Sequence, residues 1–267
     1  DEFIKSGLQD EDADVFSYFD DYITKLKDEG RLNTADSYSY AKKRLQEFYK
    51  HKKLPFGKIN QSFLEDLEKE MLADYSITSI GIWLRSLRTI INIALKNGLT
   101  DYYTFGKGKY QIKNPSARKM APTTEELQKL FSYKPCKEGS EAYWFDLWKF
   151  SYLCNGMNVK DICNLKYSAI EGNKILYLRE KTKRTNLKGK EISIPLNDEI
   201  KRIIYEWSSK PENPNKYIFP ILKKGLTEEQ KQIKIKQAVK QINKYSKRVA
   251  EKLELSIKIS SYTARHG

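Results

Sequence analysis

The sequence predicts a mainly α-helical chain with one small β-sheet, on three observations. Up to Leu99, apolar side chains recur every three or four positions, the period of a helix. Between Ile175 and Leu196 the period shortens to two, as in strands whose faces alternate. Separating these regions, "DYYTFGKGKYQIKNPSARKMAP" mixes glycines, prolines and lysines with no helical period and reads as an extended linker. A length of 267 residues fits two domains of about 100–200 residues each. The boundaries read as a tail over 1–8, a helical domain over 9–104, a linker over 105–122 and a second, mixed domain over 123–267.

Each element has its own justification. "DADVFSYFDDYITKLKDEGR" carries Val15, Phe16, Phe19, Ile23 and Leu26 on one stripe and closes at Gly30. "NTADSYSYAKKRLQEFYKHK" opens on Asn33 and Thr34, good N-cap types, and repeats Tyr38, Ala41, Leu45 and Phe48. "NQSFLEDLEKEMLADY" supplies Phe63, Leu64, Leu67 and Met71. "SITSIGIWLRSLRTIINIALKNGL" is the most periodic stretch and ends at Asn97-Gly98, a C-cap signal. In the second half, Thr123 or Thr124 with Glu126 marks a helix start. "EAYWFDLWKFSYLCNGMNVKDICNLKYSAI" reads as two helices joined at Asn155-Gly156. "KILYLRE" and "EISIPL" are strands around a basic loop, followed by a helix in "NDEIKRIIYEWSS". The last long helix is expected through "KQAVKQINKYSKRVAEKLEL", with Val239, Ile242, Val249 and Leu253 on its apolar side.

Composition narrows the function. Lys and Arg total 49 against 35 Asp and Glu, a net charge of +14, which favours a polyanionic partner. No apolar run approaches the ~20 residues a membrane helix needs. No secretory signal opens the chain, and a cytoplasmic protein is expected. Cys136, Cys154 and Cys163 lack CxxC spacing, and His51 and His266 stand far apart, so neither a metal site nor a cofactor is expected. Trp83 and Trp144 sit among apolar neighbours at helical spacing and read as core.

The order of these parts resembles the tyrosine recombinases, or phage-type integrases, over most of the chain. The helices "NTADSYSYAKKRLQEFY" and "SITSIGIWLRSLRTIINIALKNGL" resemble that family's SAM-like core-binding domain. The second half resembles its α+β catalytic domain, and "YTARHG" its His-x-x-Arg-His box. The resemblance implies strand cleavage by a tyrosine, giving a 3′-phosphotyrosyl link and a free 5′-hydroxyl without metal. It also implies a tetramer of protomers on paired duplex sites, in a protein that integrates or excises a mobile element. The family's nucleophile lies after the Arg-His box. The expectation is therefore a catalytic domain cut short at its C-terminus and inactive as it stands.

Carried over by position, Arg265 matches the box arginine, whose planar charged fork suits a phosphorane-like transition state. Lys181 in "REKTKRT" matches the hairpin lysine, a general acid for the departing 5′-oxygen, with Lys183 as its rival. Two positions depart from the pattern. Asn158 in "NGMNVKDI" stands where the family's first arginine follows Gly-x, and reads equally as an N-cap. Tyr262 replaces the box histidine, and its place three residues before Arg265 argues against its being the nucleophile. His266 follows the arginine as in the family, where a supporting role and a core hydrogen bond are equal readings. Lys42, Lys43, Arg44, Arg85 and Arg88, with Lys183 and Arg184 of the hairpin loop, are expected on DNA phosphates, in the C-shaped clamp that the resemblance implies. Two other readings stand beside this one. Asn158 and Tyr262 favour a non-catalytic DNA-binding regulator of the same fold, and the charge alone suits a helical protein that binds RNA or acidic surfaces.

Overall fold

The computed structural model describes residues 14–114, 121–136, 139–180 and 191–266. The chain divides into two compact units, Asp1–Ala117 and Arg118–Gly267, each with its own hydrophobic core. Among the described residues, no helix is long and apolar enough to cross a membrane.

Among the described residues, the first unit holds four α-helices, α1 (Val15–Asp28), α2 (Leu32–Tyr49), α3 (Gln61–Met71) and α4 (Ile77–Lys96). Asp14 caps α1, accepting from the Phe16 amide at 2.8 Å, and the same carboxylate takes the Leu54 amide at 3.2 Å. The α2 start differs from the Asn33–Thr34 expectation. Gly30, at φ 65°, ends α1, and the chain re-enters a helix at Leu32 behind Arg31, which offers no side-chain cap. The tight link leaves no room for a cap residue further on. Asn60 and Ser76 cap α3 and α4 as short polar side chains do.

The segment read as linker from residue 105 begins as part of this unit. Phe105 and Tyr110 are buried in its core and face each other edge-on, ring centres 6.0 Å apart. The Thr104 hydroxyl donates to the Ile59 carbonyl at 2.5 Å. Buried Glu68 on α3 accepts from both the Tyr110 hydroxyl and Lys113 Nζ. These contacts are tertiary, so they impose no period on the sequence.

The second unit follows with α5 (Thr124–Ser132), α6 (Ser140–Leu153) and α7 (Val159–Asn164). Three antiparallel strands come next in the order β1 (Ile170–Glu171), β2 (Lys174–Tyr177) and β3 (Ile192–Pro195). Ile175 faces Ile194 across the β2–β3 ladder, and both are buried. Then α8 (Asp198–Trp207), α9 (Glu228–Lys252) and a single turn, α10 (Thr263–His266), complete the unit. Thr123 and Glu126 form a reciprocal capping box at α5. The far end of α5 is capped from the core, because the buried Lys149 ammonium on α6 donates to the Tyr133 carbonyl at 3.2 Å. Burial lowers the Lys149 pKa, and nearby Asp146 opposes that shift. Helix α9 begins at Glu228, well before the expected start at Lys236, behind a Thr227–Gln230 capping box. Its first turns bury no side chain, and Ala238, Ile242, Ser246, Val249 and Ala250 seat the remainder. Cys154 and Cys163 are buried thiols pushed up to about 12 by desolvation, unsuited to metal or redox chemistry.

Candidate functional site

The site forms where three distant parts of the second unit meet. The first is the turn between α6 and α7. There the buried Ser151 hydroxyl donates to the Met157 carbonyl at 2.7 Å and closes the turn. Gly156 sits at φ 71°, a left-handed conformation that favours glycine. A Cβ there would lie 2.8 Å from Arg265 Cα and 2.9 Å from the Arg265 carbonyl oxygen. The missing side chain is what lets the two backbones touch, so the turn leading to Asn158 lies directly against Arg265.

Asn158 caps α7, its Oδ1 accepting from the Lys160 amide at 2.9 Å. The side chain is exposed, so the cap occupies the carbonyl end of an amide at the surface. Arg265 lies on α10, half-exposed, and makes no ion pair with a carboxylate among the described residues. Its amide donates to the Tyr262 carbonyl at 3.1 Å. The Tyr262 ring is 53% exposed, so it occupies the outer edge of the turn rather than its core. His266 closes α10.

The third part is the strand end that enters the hairpin loop. Lys181, Lys183 and Arg184 lie outside the described residues. Glu180, immediately before Lys181, donates its amide to Asp161 Oδ1 at 2.9 Å. Asp161 is buried on α7, the helix that Asn158 caps. One short helix thus holds both the Asn158 turn and the approach to Lys181. Nothing local in the sequence signals a bond between Asp161 and residue 180.

Burial raises the Asp161 pKa, and the Glu180 amide and the Arg179 and Lys160 charges pull it down only in part. A carboxyl with a raised folded-state pKa contributes stability that is fully present below its unfolded value of about 3.9 and lost as pH rises through the folded value. Asp161→Asn keeps an acceptor for the Glu180 amide and removes the desolvated charge. Its urea midpoint is expected to match or exceed that of the parent at pH about 7, with the gap closing in acid. A variant less stable than the parent at neutral pH would show that the charge itself is favoured.

The basic residues of the first unit fall into two groups. Lys42 pairs with Asp20 at 2.5 Å, bracing α2 against α1. Arg44 packs its guanidinium over Tyr75 at 4.7 Å and Trp83 at 5.8 Å and bonds Glu47 at 2.5 Å. Its buried Nε has no hydrogen-bond partner, so the rings hold it. In this structure the charged ends of Lys42 and Arg44 have partners within the unit. Lys43 is exposed, near Glu47 at 4.0 Å, and Arg85 and Arg88 are half-exposed on α4 without a carboxylate partner among the described residues.

Taken together, the described residues form a four-helix unit followed by a helical unit with a three-stranded sheet and an Arg-His turn, an arrangement similar in fold to solved integrases. Residues 14–112, which lie in the first unit, match the phage integrase SAM-like domain. Among solved structures, the chain is similar to a lambda integrase dimer bound to a COC′ core site. Identity there is 16% over 93% of this chain and 83% of that one, with a TM-score of 0.64. It is similar also to the Tn1549 transposon integrase in complex with a circular intermediate DNA, at 14% identity, 95% and 84% coverage and a TM-score of 0.62. A lambda integrase tetramer bound to a Holliday junction matches at 16% identity, 99% and 81% coverage and a TM-score of 0.56. No curated protein sequence matches the chain.

Proposed function

We propose that the protein is a site-specific DNA recombinase that cleaves and rejoins duplex DNA through a 3′-phosphotyrosyl intermediate, acting with other protomers on paired sites. The observation that carries this reading is the seating of Gly156 on the backbone of Arg265. It brings Asn158 and Arg265, about a hundred residues apart in sequence, to one surface of the second unit, with Asp161 tethering the residue before Lys181. The solved integrases named above are DNA complexes, one of them a tetramer on a Holliday junction.

In this mechanism Arg265 supplies a charged, bidentate donor to the non-bridging oxygens as charge builds on phosphorus. Asn158 adds a neutral donor through Nδ2, because its Oδ1 is engaged by the Lys160 amide. Lys181 protonates the departing 5′-oxygen, His266 supports Arg265, and Tyr262 contributes a hydroxyl donor where a histidine stands in the family. Lys43, Arg85 and Arg88 of the first unit, with Lys183 and Arg184 of the hairpin loop, bind backbone phosphates. Duplex DNA affinity is expected to fall linearly on a log–log salt plot, with a slope of about −0.9 per phosphate contact. Alanine at Arg85 or Arg88 is expected to reduce that slope, while alanine at Lys42 leaves it unchanged. Salt-independent binding would remove the electrostatic part of the reading.

The alternative, a DNA-binding regulator without chemistry, is favoured by Asn158 and Tyr262, which replace a charge and an acid–base group. The two readings separate on a nicked suicide duplex carrying the protein's own site. The natural full-length recombinase traps a denaturation-resistant covalent adduct, in Tyr262→Phe as in the parent, whereas a regulator binds and traps nothing.

A further inference from the structure

We propose that Trp148 and Asn243 are positioning residues that fix the α10 turn, and with it the Arg265 guanidinium, for the phosphate; the inference rests on the reading of Arg265 given above. Helix α10 is a single turn of four residues. One turn does not hold itself, because nucleating a helix costs more than its first hydrogen bond returns. Its order must come from outside.

Two contacts supply it. The Ser260 carbonyl accepts from the indole Nε1 of Trp148 at 2.9 Å, and also from Thr263 Oγ1 at 2.7 Å and the Ala264 amide at 3.2 Å. The next residue, Ser261, donates its amide to Asn243 Oδ1 at 2.8 Å. Trp148 comes from α6 and Asn243 from α9, so the turn is gripped at consecutive residues by two core helices. Trp148 is fully buried and stacks with Phe145 at 5.7 Å and Tyr152 at 6.0 Å, so its ring is held in place. Asn243 is half-exposed, while its neighbours Ile242 and Ser246 carry the packing of α9. Losing the Asn243 side chain therefore leaves the core of the unit intact and frees only the turn. On its other side the turn meets Gly156 through Arg265, so displacement of Ser260 or Ser261 is transmitted to the guanidinium.

The test compares single-turnover cleavage by the natural full-length protein on two duplexes, one with an ordinary scissile phosphodiester and one with a methylphosphonate there. The methylphosphonate carries one negative charge fewer at every stage and depends less on an aligned cationic donor. For Trp148→Phe and Asn243→Leu, the phosphodiester rate is expected to fall by on the order of tenfold to a hundredfold, as misplacement by about 1 Å does. DNA affinity stays at the parent level, and the deficit shrinks on the methylphosphonate. Asn243→Asp, which keeps the acceptor, recovers most of the rate. Parent-like rates for Asn243→Leu, or equal losses on both duplexes, overturn the proposal. If Arg265→Ala itself cleaves like the parent, the site reading fails and takes the proposal with it. If Trp148→Phe does not fold, Asn243→Leu and Asn243→Asp decide alone.

Discussion

Gly156→Ala is expected to lower the urea midpoint and, in the natural full-length protein, to abolish strand cleavage, more severely than alanine at any other described glycine of the second unit. Two costs combine. A non-glycine residue in a strained left-handed conformation costs on the order of 1–3 kcal/mol, and φ at Gly156 is 71°. The new methyl would also meet Arg265 Cα at 2.8 Å and its carbonyl oxygen at 2.9 Å, both backbone atoms that cannot rotate aside. Overpacking of this kind typically costs about 1–3 kcal/mol. The sum is a large share of the roughly 5–15 kcal/mol that holds a domain folded. Gly172 is the internal control, at φ 57° with nothing within 4 Å of an added Cβ. Gly172→Ala pays the conformational cost alone and should retain cleavage. If both variants lost stability equally, the contact between the turn and Arg265 would be looser than its geometry indicates.

What the sequence revealed follows which forces are local. Helix stripes and caps are local, so the four helices of the first unit, the Thr123 box and the Asn97-Gly98 stop were legible. Helix α9 was placed late because its first turns bury nothing and so lack a stripe, although the Thr227–Gln230 box stood in plain sight. Strand β1, at two residues, is too short to show a period. Phe105 and Tyr110 looked like linker because they are held by contacts across the unit. In the site, Gly156, Asn158 and Arg265 stood out through resemblance to a known order of motifs. Their anchors did not: Trp148 and Ser260 are 112 positions apart, and a hydrogen bond at that distance leaves no pattern in either segment. For Arg44, the sequence shows a side chain leaving the apolar stripe, but not that Tyr75 and Trp83 from other parts of the unit wait beside it.

In the natural full-length protein, Arg265→Ala is expected to reduce cleavage by on the order of 10²–10³ or more, the usual cost of removing a transition-state donor, with DNA affinity nearly unchanged. The separation follows from where each energy arises. Affinity for duplex is a sum over dispersed phosphate contacts drawn from a chain of net charge +14, and one arginine contributes a small part of it. On the proposed mechanism, transition-state charge is concentrated on two oxygens, and beside Asn158, which offers no charge, Arg265 supplies a charged donor to them. For the same reason Asn158→Ala should be milder than Arg265→Ala, since it removes one neutral hydrogen bond and a helix cap. Arg265→Lys discriminates further: it restores the charge without the planar fork, so partial recovery separates the electrostatic share from the bidentate one. A quantitative footprint with a cleavage time course measures both quantities on one duplex. Loss of binding in parallel with cleavage would recast Arg265 as a DNA-anchoring residue, and parent-like cleavage would move the catalytic centre away from the α10 turn.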